Sequence, residues 1–405
     1  MAATPTYPEF TPGDGAAPPY LAGREAEQET LQGMLARIRR GVGAYSNVII
    51  IGPRGNGKTA LLRWFETECG RDNGVDTVWL TPDDILDLDA LATELAPPSR
   101  WQTLLPDEAE LGLEGAKLKW RLGNQISRLT RLLEARCKQR PLALLLDEAH
   151  TLDLKVGNSL LNTSQKVRAK APFLLVLAGT PGLERQLNQM SATFWSRSKK
   201  LGLGRLDGEG ARAALVEPFK QHRIVIEGPV LDDVIDESQR YPYFLQCWGS
   251  ALVNVLQTFA NSTGQAARQI DSAIVAAARP EFERERIGHY EIFRGQIAEA
   301  GLLPLAATVT RAYGDTDRLE EHMLDAAIGE ALQATGAAAA APTDVDIIKQ
   351  RQALAELGYV WSSPDSADVW HAGVPSLMQH VLEIEEKKAR YSAAAEEPAS
   401  PATAL

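Results

Sequence analysis

The chain has 405 residues, enough for two or three domains at ~150 residues each. Its 44% apolar and 23% charged content excludes a mainly disordered or collagen-like chain. Forty-two Lys and Arg against 53 Asp and Glu leave a net charge of -11, which argues against a surface built wholesale for nucleic acid but leaves room for a local basic patch.

Residues 1–20 hold five prolines and read as a disordered arm. They lack the basic start and apolar stretch of a secretory signal. Gly23-Arg24-Glu25-Ala26-Glu27 opens a helix predicted to run to about Arg40, with Leu31, Met34, Leu35 and Ile38 at helical spacing. Asn47 to Ile51 reads as a buried strand, followed by a helix from Gly57 to about Cys69. Val75 to Leu80, Pro141 to Leu146 and Phe173 to Leu177 are further strands. Helices lie between them, notably Lys117 to Lys138, with room for a helical insertion around residues 90–122. This alternation predicts an α/β class: a parallel sheet with helices on both faces, over residues 21–207.

From about Gly208 the long apolar strand runs stop. Gly210 to Phe219, Val230 to Arg240 and Tyr243 to Ala260 predict a helical subdomain over residues 208–280. Residues 281–390 form a third region, with an Ala-rich loop or helix end at Gly336 to Ala341, and residues 391–405 read as a disordered tail. No apolar run approaches the ~20 residues that span a bilayer, so no membrane partner is expected. Cys69, Cys137 and Cys247 lie far apart without metal-ligand spacing, which points to a reducing compartment. The protein is expected to be soluble and cytoplasmic.

The strongest motif is Gly52-Pro53-Arg54-Gly55-Asn56-Gly57-Lys58-Thr59, a G-x-x-x-x-G-K-[ST] phosphate loop placed after a strand and at the start of a helix that continues into Ala60. Glycines let backbone wrap a phosphate, and the free N–H groups of the helix start supply donors and partial positive charge. Lys58 can reach the β and γ phosphates, and the Thr59 hydroxyl can ligate Mg²⁺. Leu142 to Leu146 then ends in Asp147-Glu148. A buried strand ending in two carboxylates suits Mg²⁺-assisted phosphoryl transfer, with Asp147 in the metal's shell and Glu148 polarising the attacking water. His150, His222, His322, His371 and His380 form no ligand pattern and read as structural.

The phosphate loop, the D-E-A-H segment and a strand ending in Ala178-Gly179-Thr180-Pro181-Gly182 together resemble the AAA+ ATPases, most closely their origin-recognition-like and STAND-like branches. The resemblance spans about residues 20–260 and implies ATP with Mg²⁺ as cofactors. It implies that Thr180 senses the γ-phosphate and that Arg24 lies near adenine. Tyr241-Pro242-Tyr243-Phe244-Leu245-Gln246 resembles the lid segment in which Pro242 would pack near adenine and ribose. Tyr243 stands where many AAA+ proteins carry a lid arginine, with Arg240 just before it, which puts the hydrolysis rate in doubt rather than binding. Arg197 matches the place of an arginine finger acting on a neighbouring subunit, and hence implies a homo-oligomer. A solvated basic edge shared with Lys199, Lys200 and Arg205 explains it equally well.

The end of the third region resembles a winged helix. Asp344 to Leu357 would be a helix, Gly358 to Trp361 and Asp368 to His371 two wing strands about a Ser363-Pro364-Asp365 turn, and Val374 to Glu386 a closing helix. The first of these helices carries Lys349 and Arg351 against Asp344, Asp346 and Glu356, too acidic for a typical DNA reader. Three readings remain. One is an ATP-driven switch controlling a lid and C-terminal domain. Another is a DNA-associated ATPase of replication, transposition or plasmid maintenance, favoured only by Lys166-Val167-Arg168-Ala169-Lys170. The last is a weakly hydrolysing signalling scaffold. The C-terminal partner, protein client or DNA, is undecided.

Overall fold

Strand residues of the first half alternate between two apolar faces, and that alternation builds the sheet. The computed structural model describes residues 6–13, 15–71, 74–95, 122–314, 316–334 and 341–396. They divide into two compact units, one of residues 11–218 and one of residues 219–396 together with residues 6–10.

The first unit runs α1 (Glu25–Arg39), β1 (Val48–Ile51), α2 (Lys58–Gly70), β2 (Asp76–Leu80), α3 (Leu88–Glu94), α4 (Leu122–Gln139) and β3 (Leu142–Leu146). It continues through α5 (Leu154–Arg168), β4 (Phe173–Gly179), α6 (Leu183–Arg197), β5 (Lys199–Gly202) and most of α7 (Gly208–Gln221). The strands form one all-parallel sheet in the order β2-β3-β4-β1-β5. Ile49, Ile51, Leu144 and Leu175 pack with α3 to α6 on one face. Val48, Ile50, Leu145 and Val176 pack with α1 and α2 on the other. A strand buried on both faces must be apolar at every position, which is why β1, β3 and β4 read as unbroken hydrophobic runs. The expected insertion at residues 90–122 lies mostly outside the described residues, as does the start of the helix expected from Lys117.

In the second unit β6 (Val225–Ile226) pairs in parallel with β7 (Gln269–Ile270), flanked by α8 (Gly228–Ser238), α9 (Pro242–Thr263) and α10 (Ser272–Glu299). Trp248 of α9 stacks on Phe282 of α10, with ring centroids 4.4 Å apart. Next come α11 (Leu303–Tyr313), β8 (Arg318–Glu320), α12 (Glu321–Ala334), α13 (Asp344–Glu356), β9 (Val360–Ser363), β10 (Ser366–Ala372) and α14 (Leu377–Glu396). β8, β10 and β9 make an antiparallel sheet in that order.

Several expectations need correction. The stretch read as a loose arm is docked over residues 6–10. Phe10 is buried 5.5 Å from the Phe219 ring, and Tyr7 donates its hydroxyl hydrogen to the Leu256 carbonyl at 3.3 Å. Gly249 makes the room: a Cβ there would lie 2.4 Å from two Phe10 ring carbons. The expected division at residue 280 falls inside the single helix α10, which continues through Pro280, and the expected core boundary after residue 207 lies just before α7 begins. The two strands expected as a wing, β9 and β10, belong to a sheet with a third strand, β8. The tail expected from residue 391 begins as the end of α14. The remaining tail and Ala-rich residues 336–340 lie outside the described residues.

Candidate nucleotide site

The site lies at the carboxyl ends of the parallel strands, where α/β sheets place their ligands. Gly52 leaves β1 between its two sheet neighbours: its N–H donates to Gly179 O of the β4 end, and Leu203 N–H donates to Ile51 O. A Cβ on Gly52 would meet Leu203 O at 2.3 Å, so only glycine lets the loop depart there. The loop closes at Gly57, whose φ of 86° sets up the first turn of α2. That turn leaves the N–H groups of Lys58, Thr59 and Ala60 without intrahelical acceptors and aims positive partial charge outward.

Five polar residues converge although nearly sealed from solvent. Arg24, Asn56, Lys58, Asp147 and Thr180 are each 6% exposed or less. The Thr59 hydroxyl donates to Asp147 Oδ2 at 2.7 Å, and Glu148 N–H donates to Asp147 Oδ1 at 2.9 Å. Lys58 Nζ folds back onto Pro53 O at 3.0 Å. Arg24 donates to Asn56 O at 3.1 Å and to Gly204 O at 2.5 Å. Arg24 therefore braces the phosphate loop against the segment after β5. Glu148 sits in the left-handed region with φ 51°, a strained place for a non-glycine residue, and its side chain remains substantially exposed.

Burial dominates the electrostatics of the site. Burial lowers the Lys58 pKa to about 8; Glu148 and Asp147 oppose that shift and Arg54 adds to it. Burial also raises the Asp147 carboxyl above its ordinary range, against the Thr59 hydrogen bond. The Thr180 hydroxyl and both amide atoms of Asn56 have no hydrogen-bond partner among the described residues. Unmet buried polar groups cost about 1–3 kcal/mol each, so their clustering here fits residues that meet a polar ligand. The hydroxyl and carboxylate of Thr59 and Asp147 are hard oxygen donors suited to Mg²⁺.

The structure thus brings together Arg24, Gly52 through Ala60, Asp147, Glu148 and Thr180. Arg197 is not among them: it ends α6, exposed, with no ion pair among the described residues. Pro242 opens α9 in the second unit, where Tyr243 stacks on His289 at 4.2 Å. Sequence reasoning missed His150, whose Nδ1 lies 3.4 Å from Glu148 Oε2 and 3.5 Å from the Thr180 nitrogen. Its spacing two residues after Glu148 was the available signal.

A five-stranded parallel sheet with a glycine-built loop between β1 and α2, facing an acidic strand end, defines a P-loop nucleotide-binding protein. Residues 20–177 match the family described as AAA ATPase domain. Among solved structures, the Aeropyrum pernix ORC2 protein in its ADPNP–ADP complexes is similar at 15% identity and a TM-score of 0.54, covering 94% of this chain and 97% of that one. A Walker-type ATPase of Pyrococcus abyssi is similar at 15% identity and a TM-score of 0.56, covering 89% and 95%. At such identities the likeness is one of fold. No curated protein matches the chain in sequence. No helix among the described residues is long and apolar enough to cross a membrane.

Proposed function

We propose that the protein binds Mg-ATP at this site and hydrolyses it, using nucleotide state to control the helical lid and the winged-helix-like region. The observation that carries this reading is the 2.7 Å pairing of the Thr59 hydroxyl with Asp147 at the mouth of a phosphate loop, with Glu148 alongside. Thr59 and Asp147 would hold Mg²⁺, which when bound offsets charge on the phosphoryl oxygens. The loop N–H groups cradle the phosphates, Lys58 meets the β and γ oxygens, and the unpartnered Thr180 hydroxyl is free to bond the γ-phosphate. Glu148 accepts the proton of the attacking water as its oxygen bonds to the γ phosphorus and the bond to the bridging oxygen breaks. Arg24 and Pro242 are assigned to the adenosine end, Arg24 through the loop backbone that it braces. Exposure of Arg197 supports a finger offered to a second copy of the chain.

A protein client is favoured over DNA by the fate of the basic residues. Arg351 of α13 is held by Asp325 at 2.7 Å and by Glu321 at 2.9 Å, and lies over the Trp370 ring. Arg168 donates to Ala44 O at 2.9 Å, and Lys170 lies 3.9 Å from Glu134. Arg351, held by two carboxylates, is less available to neutralise a phosphate and so to release counterions from nucleic acid. On α13, Val345 and Ile348 are solvent-exposed apolar side chains, as a protein contact would use. The test is ATP turnover with and without duplex DNA. Weak turnover that DNA leaves unchanged supports a switch or signalling scaffold, and strong stimulation would install the DNA-associated reading instead.

A further inference from the structure

His150 stands in the short turn Ala149–Thr151 directly after Glu148, and the end of β4 presses against that turn. A Cβ on Gly179 would come within 3.3 Å of the His150 backbone nitrogen, so the two segments are held close. The His150 side chain is mostly buried, and its Nδ1 faces two groups at once. Thr180 N–H needs a lone pair at that nitrogen, whereas a Glu148 carboxylate needs a hydrogen there. One ring nitrogen serves only one of them. Both distances, 3.5 and 3.4 Å, are long for hydrogen bonds, as befits a nitrogen shared between rivals. Burial, followed by the charges of Lys58 and Arg54, pushes the imidazole pKa down to about 4 against the pull of Asp147, so the ring carries one hydrogen at neutral pH.

We propose that His150 is a positioning residue that couples the Thr180 strand end to Glu148. With Nδ1 accepting from Thr180 N–H, Glu148 is released toward the attacking water; with the hydrogen on Nδ1, Glu148 is held back on the ring. Contact of the γ-phosphate with Thr180 fixes that strand end and selects the first arrangement. This inference rests on the hydrolysis reading above.

The experiment measures kcat, KM, equilibrium ATP affinity and thermal midpoint for the full chain and for His150→Ala, His150→Asn, Thr180→Ala, the double variant His150→Ala/Thr180→Ala, and Glu148→Gln. The coupling predicts that His150→Ala lowers kcat about tenfold, a fraction of the ~10²–10⁴ that general acid–base groups contribute. KM and ATP affinity should stay within about twofold of the full chain, since no phosphate contact is lost. Asn, which offers both an acceptor and donors near the Nδ1 position, should restore most of the loss. The double variant should lose little more than the worse single, because the two residues act as a unit. The inference is overturned if His150→Ala turns over normally while Glu148→Gln does not. It is also overturned if the loss is unrescued by Asn and additive with Thr180→Ala, which marks simple packing. Unchanged turnover in Glu148→Gln would instead defeat the hydrolysis reading, and this inference with it.

Discussion

Proton uptake on ATP binding tests the site most directly. Lys58 is sealed in the phosphate loop, and burial brings its pKa down to about 8, with Glu148 and Asp147 pulling upward and Arg54 downward. A triphosphate at the loop replaces the lost hydration with negative charge, which returns the ammonium toward the ordinary lysine value of about 10.4. At pH 9 the free protein then holds only about a tenth of the Lys58 proton and the complex nearly all of it, an uptake of about 0.9 proton per ATP. At pH 7 the uptake shrinks to about 0.1, and between pH 8 and 10 the association constant falls by about five- to sevenfold per pH unit. Calorimetry in two buffers of different ionisation enthalpy reads the uptake directly. Lys58→Arg, which stays charged throughout this range, should show none in whatever binding it retains. The same shift has a sign for folding. Between about pH 8 and 10.4 the unfolded chain holds the proton that the native free protein has lost, so this group makes the nucleotide-free protein more stable as pH rises. Uptake at pH 9 no larger than at pH 7 would refute the placement of Lys58 against the phosphates.

Glu148→Gln should bind ATP normally and lose ~10²-fold or more in turnover, as measured by phosphate release under saturating ATP. Arg197→Ala should bind ATP but lose hydrolysis, and mixing it with Glu148→Gln should restore part of it. At a mixed interface one subunit supplies the carboxylate and its neighbour the arginine, whose value in other phosphoryl-transfer sites is ~10³–10⁵; wild-type turnover in Arg197→Ala alone would return that residue to a basic edge. Phe10→Ala should destabilise the second unit by about 3 kcal/mol in urea unfolding followed by tryptophan fluorescence, the usual range for a buried aromatic truncation, and an unchanged midpoint would contradict its burial.

The sheet was legible because its physics is local. β1, β3 and β4 must be apolar on both faces, and the glycines and lysine of the phosphate loop follow one of them without a gap. The strands that escaped notice, β6, β7 and β8, have two or three residues each, too few to show a period. Pro280 invites a boundary because proline removes a helical hydrogen bond, yet α10 runs through it. Phe10 had no local signature at all: prolines dominate its neighbourhood, and its burial is decided by Phe219 and Gly249, far along the chain. Within the site, residue types announced Lys58, Thr59, Asp147 and Glu148, since each is fixed by a motif. The brace from Arg24 depends on where two backbone carbonyls come to rest, and no spacing encodes that. His150 carries no ligand spacing, and its informative quantity is its distance from Glu148 in the D-E-A-H segment.

The docking of residues 6–10 fixes an order of events during synthesis. Phe10 leaves the ribosome well before Gly249, against which its ring rests and which lies 239 positions later. At ~5–20 residues per second that gap is roughly 10 to 50 s. Throughout it the ring has no slot to enter, and by its end the sheet of residues 11–218 is complete in sequence and can fold. The second unit must therefore recapture a piece of chain already tethered to a finished neighbour, a contact of very long sequence separation of the kind that slows folding. Residues 6–10 wait for a slot that the ribosome has yet to make.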